Sequence, residues 1–122
     1  MNFQEYVSNL GQEITKDLPI REINEMLYSE YSVGEADEMI SQRTNKVLDN
    51  TFKKLDKASQ REIYSRITPA YLKELDRTMI ACKYDYGDNN PLFLRYYVER
   101  AVCTSIKDVY ENQNTKSNGR SL

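Results

Sequence analysis

The sequence contains no histidine, and this absence excludes more chemistry than any other feature of the composition. Without imidazole the chain cannot form a Ser-His-Asp triad, a histidine general base or a zinc site that requires a histidine ligand. Its two cysteines are too few to complete a structural zinc site alone. A phosphate-binding glycine loop, a dinucleotide fingerprint and a nucleophile elbow are also missing. We therefore expect a protein that is not an enzyme and that uses no cofactor or metal.

Long apolar runs are absent as well. No segment approaches the roughly 18 consecutive apolar residues of a membrane span, so no membrane association is expected. Residues 1–5 lack the charged and apolar regions of a signal peptide. Cys82 and Cys103 occupy apolar-facing positions of predicted helices, which is typical of buried thiols in a reducing compartment. A disulfide between them is the open alternative, and the expected location is the cytoplasm.

Glycine and proline are scarce, with four and three residues in the chain, and helical periodicity fills the intervals between them. The longest interval predicts a helix over residues 35–55, where apolar side chains recur at spacings of three, four and seven. Ser32 and Glu35 have the spacing of a capping box at its start. Such a helix would be roughly 30 Å long, about the width of a small domain. Shorter neighbours are expected to pack around it.

The same periodicity predicts further helices over residues 2–15, 19–31, 59–67, 69–83 and 91–111. Thr68-Pro69 and Asn90-Pro91 each place a capping residue before a proline suited to a first helical turn. Gly11 is a weak point of the first helix because glycine has low helix propensity. Residues 92–98 also have high strand propensity, but the helical spacing continues for three more turns.

The expected fold is therefore all-α. It is a single-domain bundle of five or six helices over residues 1–111, arranged around the long central helix. Residues 112–122 are polar and have no period, so they are expected to form a disordered C-terminal tail.

A polar interruption divides the apolar face of the long helix. The six residues between Ile40 and Val47 are polar, and at about 100° per residue Thr44 and Thr51 share the face of Val47. One explanation is that the helix bends or projects into solvent at this point. The other is a polar seam for a partner.

Charge is unevenly distributed, although the net charge is only −2. Residues 1–40 have a net charge of −7, residues 41–82 of +4 and residues 83–122 of +1. The acidic and basic regions can pair within one chain or across an antiparallel two-fold dimer. We predict the homodimer, because an apolar content of 39% leaves little material for a self-sufficient core and because Thr44 and Thr51 are expected to be exposed on the long helix.

A basic stripe follows the long helix and its continuation. It consists of Arg43, Lys46, Lys53, Lys54, Lys57 and Arg61. Such a stripe can follow the phosphates of a nucleic acid. A solvated charged face explains the same pattern, because Asp49 and Asp56 flank the stripe. Nucleic-acid binding is therefore the alternative function.

The aromatic residues are strongly biased to tyrosine, with ten tyrosines, three phenylalanines and no tryptophan. Tyrosine suits protein interfaces because it buries a large area and keeps a polar tip. Residues 84–90 are rich in turn-forming residues but do not match a calcium loop, which needs Glu where Tyr96 stands. We predict a partner-binding surface formed by Tyr84, Asp85, Tyr86, Asp88, Tyr96 and Tyr97.

These features predict a small regulatory or adaptor protein that acts by binding another protein. The abundance of Asn, Lys, Tyr and Glu is compatible with an AT-rich genome, such as that of a phage, a mobile element or a low-GC bacterium.

Overall fold

The computed structural model of the chain describes residues 3–86 and 90–119, without the side chains of Tyr86 and of residues 114–119. The predicted all-α bundle is confirmed, because every regular element in these ranges is helical. The elements are α1 (Phe3–Lys16), α2 (Ile20–Leu27), α3 (Val33–Asn50), a 3-10 turn (Phe52–Lys54), α4 (Lys57–Ser65), α5 (Pro69–Tyr86) and α6 (Pro91–Gly119). Within this described part, no helix has the length and apolarity needed to cross a membrane.

The C-terminal helix α6 contacts each of the other five α-helices. Its fully buried residues recur at helical spacing and form the centre of the core: Leu94, Val98, Val102, Cys103 and Ile106. The helix α3 packs against α1, α2 and α6. A bundle with a long helix at its centre is thus present, and α6 connects all of its parts. Residues 92–98 belong to α6 and are helical.

The helix α3 ends at Asn50, five residues before the predicted end at residue 55. Thr51 leaves helical geometry, with φ −121° and ψ −64°, and its hydroxyl donates to the carbonyl of Val47 at 2.8 Å. Phe52 then lies fully buried in the core. Burying an aromatic side chain contributes about 2 kcal/mol, which outweighs one further turn of exposed helix.

One predicted helix cap and one predicted helix start differ in the structure. The side chain of Ser32 makes no capping hydrogen bond, so the predicted capping box at the start of α3 is wrong. The helix α4 is capped by Asp56, which accepts a hydrogen bond from the backbone N–H of Ser59 at 2.7 Å. Aspartate is one of the strongest N-caps, so α4 begins two residues earlier than residue 59.

The two caps followed by proline are confirmed. The hydroxyl of Thr68 accepts from the N–H of Tyr71 at 3.1 Å, and the side-chain oxygen of Asn90 accepts from the N–H of Leu92 at 3.0 Å. In both cases proline occupies the first helical position, where its missing N–H is not needed.

The polar interruption of α3 is buried inside the fold. Thr44 is 0% exposed, and its hydroxyl donates to the carbonyl of Ile40 at 2.7 Å. A hydroxyl that bonds its own helix can enter a core without a further partner. Thr51 is half-buried. The expectation that these two residues are exposed is therefore wrong, and neither a solvent-facing bend nor an open polar seam is formed at Thr44.

The charge asymmetry is partly neutralised within the chain. Arg43, in the basic middle third, forms an ion pair with Asp17, in the acidic first third. The arguments for an antiparallel dimer from the exposed threonines and from the charge asymmetry are therefore weaker, and the homodimer itself stays a prediction.

The C-terminal helix continues to Gly119, eight residues beyond the predicted end at Glu111. Residues 111–113 are exposed, so the burial of α6 stops where its apolar period stops. No glycine or proline interrupts the backbone before Gly119. Residues 120–122 lie outside the described residues, and the disordered tail stays a prediction there. Both cysteines are buried and free, as expected for thiols in helix interiors.

Candidate functional site

An open groove of about 860 Å3 lies between the start of α1, the helix α4 and the start of α5. We name it the aromatic groove. It is lined by Phe3, Gln4, Tyr6, Leu55, Ser59, Glu62, Ile63, Arg66, Thr68 and Tyr71.

The position of α4 creates the groove. This helix packs against α6, where the ring of Tyr64 stacks on Tyr110 with centroids 4.1 Å apart and an interplanar angle of 17°. The hydroxyl of Tyr64 also donates to the carboxylate of Glu111 at 3.2 Å. Tyr64 thus holds one side of α4 against α6. Ile63, the residue before it in the sequence, lies about 100° around the helix axis and lines the groove.

Hydrogen bonds at the beginning of α4 connect the helix to the 3-10 turn. The amide of Gln60 donates to the carbonyl of Leu55 at 2.9 Å and to that of Phe52 at 3.3 Å. Gln60 is buried, so these two bonds satisfy a polar group in the interior. They set the position of Leu55 at the edge of the groove.

The floor of the groove is apolar and open to solvent. Its five apolar and aromatic residues are all half-buried: Phe3, Tyr6, Leu55, Ile63 and Tyr71. The rings of Phe3 and Tyr71 meet edge to face, with centroids 5.4 Å apart. A concave, mostly apolar surface with a few polar groups is the usual form of a binding site.

The two tyrosines of the groove stay protonated at neutral pH. Burial raises the pKa of Tyr71 to about 12, and the Cys103 thiol and the Glu99 and Glu74 carboxylates act in the same direction. Burial also raises the pKa of Tyr6, against an opposing effect of the Thr51 hydroxyl. The hydroxyl of Tyr6 is buried and has no partner at normal hydrogen-bond geometry among the described residues. Both phenols therefore act as neutral hydrogen-bond groups, not as bases.

One positive and one negative side chain line the groove. Arg66 and Glu62 are exposed, and neither forms an ion pair within residues 3–86 and 90–119. Both charges are therefore available to a ligand.

A second cleft of about 550 Å3 adjoins the aromatic groove and shares Gln4 and Tyr71 with it. We name it the polar cleft, and its other lining residues are Glu5, Ser8, Asn9, Arg95, Tyr96 and Glu99. Glu99 is only 7% exposed and accepts from the Nε atom of Arg95 at 3.1 Å. The guanidinium of Arg95 also donates to the hydroxyl of Ser8 at 2.5 Å, which connects α6 to α1. Tyr71 therefore lines both the apolar groove and the polar cleft.

The predicted tyrosine surface is divided in the structure. Tyr84 is 79% exposed at the end of α5, and Asp85 beside it is exposed. Tyr96 and Tyr97 are half-buried against the core, Tyr96 in the polar cleft and Tyr97 with its ring centroid 6.1 Å from that of Phe93. The side chain of Tyr86 and the whole of Asp88 lie outside the described residues.

Exposed large apolar side chains also occur in the loop after α2, in the second half of α5 and at the start of α6. Tyr28, at the beginning of that loop, has its ring 5.1 Å from Phe93 and 5.3 Å from the Nζ atom of Lys83. We name the exposed residues of these segments the bundle-end surface: Tyr31, Ile80, Tyr84 and Leu92, which are 97%, 56%, 79% and 43% exposed. The sequence-based prediction did not include Tyr31, Ile80 and Leu92.

The basic stripe does not follow one helix, because α3 ends before Lys53. Arg43 pairs with Asp17, and Lys53 pairs at 2.6 Å with Asp49, one helical turn before it. The remaining members are exposed and have no ion pair among the described residues: Lys46, Lys54, Lys57 and Arg61.

The aromatic groove itself was not predicted. Its apolar residues obey the same helical spacing as core residues, so no local pattern separates the two. The excess of tyrosine was the available signal, and it was assigned to residues 84–97. In the part of the chain that the structure describes, no group of three acidic or cysteine side chains is placed to hold a metal ion. No protein-family model matches this chain, and neither a curated protein nor a solved structure matches it.

Proposed function

We propose that this protein is a cytoplasmic, non-enzymatic adaptor or regulator that acts by binding another protein through the aromatic groove. The observation that carries the proposal is the open apolar floor, where five half-buried side chains pack against the core and keep part of their surface in contact with solvent. Covering apolar surface yields about 25 cal/mol per Å2, so a partner that fills the groove gains directly from contact.

The polar groups around the groove favour specific binding. Arg66 and the protonated Tyr71 line the groove, and Tyr and Arg are among the residue types that contribute most to protein interfaces. Neutral phenols donate hydrogen bonds without the desolvation cost of a charge. This combination supports recognition of a polypeptide with both apolar and polar groups.

The bundle-end surface supports a second area of contact. Tyr31 and Tyr84 expose large aromatic side chains, and Asp85 adds a negative charge beside them. Large apolar side chains exposed on a small protein are typical of interaction sites where they group into a patch. Tyr84 and Asp85 therefore remain members of the proposed contact area, together with Tyr31 and Leu92.

Nucleic-acid binding is the alternative function. It is supported by the four exposed cations Lys46, Lys54, Lys57 and Arg61, which have no ion pair among the described residues. Phosphate binding by such a set weakens steeply with salt.

Affinity capture from the native host distinguishes the surfaces. The baits are the wild type, Ile63→Ala with Arg66→Ala for the groove, Tyr31→Ala with Tyr84→Ala for the bundle end, and Ile20→Ala as the control. Ile20 is 45% exposed at the start of α2 and belongs to neither surface. We expect the groove variant to lose a protein that the control retains, with unchanged circular dichroism.

Capture that is unaffected by the groove variant, or that is lost after nuclease treatment, would overturn the proposal. In the second case a gel shift that disappears in Lys54→Glu with Lys57→Glu would establish the alternative.

A further inference from the structure

Two buried carboxamides meet where the second half of α2 lies against the beginning of α6. Asn24 is 1% exposed and Asn90 is 7% exposed. The side-chain nitrogen of Asn24 donates to the backbone carbonyl of Asn90 at 3.5 Å, which is long for a hydrogen bond of this kind. Neither residue lines the aromatic groove or the polar cleft. The contact is therefore a separate polar site inside the bundle.

Hydrogen bonds fix the orientation of both carboxamides. The side-chain oxygen of Asn90 accepts from the backbone N–H of Leu92 at 3.0 Å, so its side-chain nitrogen is directed elsewhere. If the carboxamide of Asn24 were turned over, its oxygen would face the Asn90 carbonyl, and two acceptors would oppose each other. One acceptor, Oδ1 of Asn24, and one donor, Nδ2 of Asn90, are left over. Both atoms are buried and have no hydrogen-bond partner among the described residues.

Unpartnered polar atoms are costly in a protein interior. Most buried polar side-chain atoms bond to another protein group or to ordered water. An atom without such a partner loses its hydration and gains no interaction in exchange. Here the two atoms have opposite hydrogen-bonding character, and they belong to residues in direct contact. This arrangement indicates a ligand shared between them.

The two atoms select a small neutral ligand. An anion would accept from Nδ2 of Asn90 but would be repelled by the oxygen of Asn24, and a cation would meet the reverse conflict. A water molecule both donates and accepts, and buried water typically makes about three hydrogen bonds to groups otherwise left unpaired.

The buried thiol of Cys82, on α5, is a third polar group at this site. Burial and the Asp85 carboxylate raise the pKa of this thiol, whereas the Asn90 side chain acts in the opposite direction. The thiol therefore lies beside the Asn90 carboxamide, although the two do not reach normal hydrogen-bond geometry. Three helices thus contribute a polar group to the same small region.

We propose that α2 and the beginning of α6 enclose one ordered water molecule, which accepts a hydrogen bond from Nδ2 of Asn90 and donates one to Oδ1 of Asn24. The side-chain oxygen of Asn90 caps α6. The water gives this capping residue a second link to α2, in addition to the long direct hydrogen bond.

Proton NOE and ROE spectra of the wild type in water test the site. The side-chain amide protons of Asn90 should show cross-peaks to water with opposite signs in the two spectra, which is the pattern of water held longer than surface hydration. The side-chain amide of Asn45, which is exposed on α3, is the matched control and should not show this pattern. Mildly acidic pH keeps the exchange of amide protons with water slow.

Two variants identify the groups that hold the water. Asn24→Leu is expected to abolish the cross-peak at Asn90, because leucine has a similar size but offers the water no acceptor. Cys82→Ala is expected to retain it, which separates bound water from magnetisation transfer through the thiol proton. Circular dichroism and the dispersion of the amide resonances show whether each variant is folded. If Asn24→Leu is unfolded, Asn24→Met takes its place.

Three outcomes would overturn the inference. The first is the absence of a water cross-peak at Asn90 in the wild type. The second is a cross-peak that persists in folded Asn24→Leu, because the water would then not be shared between the two carboxamides. The third is a cross-peak that disappears in folded Cys82→Ala, because it would then arise from the thiol.

Discussion

The Cβ atom that Gly11 lacks would lie 3.1 Å from the Cγ atom of Glu99. This contact distance is shorter than ordinary van der Waals separation, so glycine lets α1 approach α6 closely at this point. Glu99 cannot move freely, because Arg95 holds its carboxylate. A residue that looks like a weak point of α1 by helix propensity is therefore required by the packing of two helices.

We predict that the effect of Gly11→Ala on stability depends on Glu99. Alanine gains about 1 kcal/mol over glycine in helix propensity, but in the wild type this gain is offset by displacement of the Glu99 side chain. In a Glu99→Ala background no side chain has to be displaced, so Gly11→Ala should stabilise the protein by the full gain in helix propensity. Urea unfolding of the four proteins in this double-mutant cycle measures the difference. Identical effects of Gly11→Ala in both backgrounds would show that the contact is unimportant.

The burial of Thr44 gives a second prediction. Thr44→Val keeps the shape and removes a hydroxyl that bonds only its own helix, so the free energy of unfolding should change by less than about 1 kcal/mol. Thr44→Asp places an unpaired charge in the core and should cost about 3 kcal/mol or more. Asn45→Asp, at the exposed neighbouring position, is the matched control. If Thr44→Asp had the same melting temperature as the wild type, the buried position of Thr44 would be contradicted. The hypothesis of an exposed polar seam on α3 would then stand again.

The stacking of Tyr64 on Tyr110 is expected to stabilise α4 in its position against α6. Tyr64→Ala removes the ring contact, which in aromatic pairs contributes about 0.5–1.5 kcal/mol beyond buried area. Amide hydrogen exchange in α4 should become faster, while exchange in the α6 core is unchanged. Tyr64→Phe keeps the ring and loses only the bond to Glu111, so its exchange pattern should stay close to the wild type. Equal exchange in Tyr64→Ala and Tyr64→Phe would show that the stack does not hold α4.

The buried thiol of Cys103 predicts a loss of stability at high pH. Burial, with a contribution from the Glu99 carboxylate, raises the pKa of Cys103 from 9.0 to about 12. The folded state therefore keeps a proton that the unfolded chain loses, and this group lowers the free energy of unfolding as the pH rises from about 9 to about 12. Below about pH 9 it has no effect.

Urea unfolding of the wild type and of Cys103→Ala, at about pH 8 and about pH 10, tests the pH dependence. The wild type should lose more stability than the variant over this interval, by at most about 1.4 kcal/mol per pH unit. Because Cys103 also contributes to the raised pKa of Tyr71, both proteins carry Tyr71→Phe, so that only the thiol differs between them. Equal losses in the two proteins would mean that the thiol is not protected from ionisation.

Helix positions are determined by the sequence to a large extent, because they depend on short-range physics. Thr68-Pro69 and Asn90-Pro91 start α5 and α6 as predicted, since a cap and a first-turn proline act within a few residues. The apolar spacing of α6 likewise identifies the side that is buried. The all-α class follows from these local signals.

Only the tertiary structure decided where those helices stop and what they leave uncovered. Phe52 ends α3 because the core takes its ring, and Thr44 enters the core because its own helix supplies an acceptor. Phe3, Ile63 and Tyr71 have the spacing of core residues, yet they line an open groove because Tyr64 holds α4 against α6. Helical periodicity shows which side of a helix is apolar. Which other helix covers that side depends on long-range packing, and no local sequence pattern encodes it.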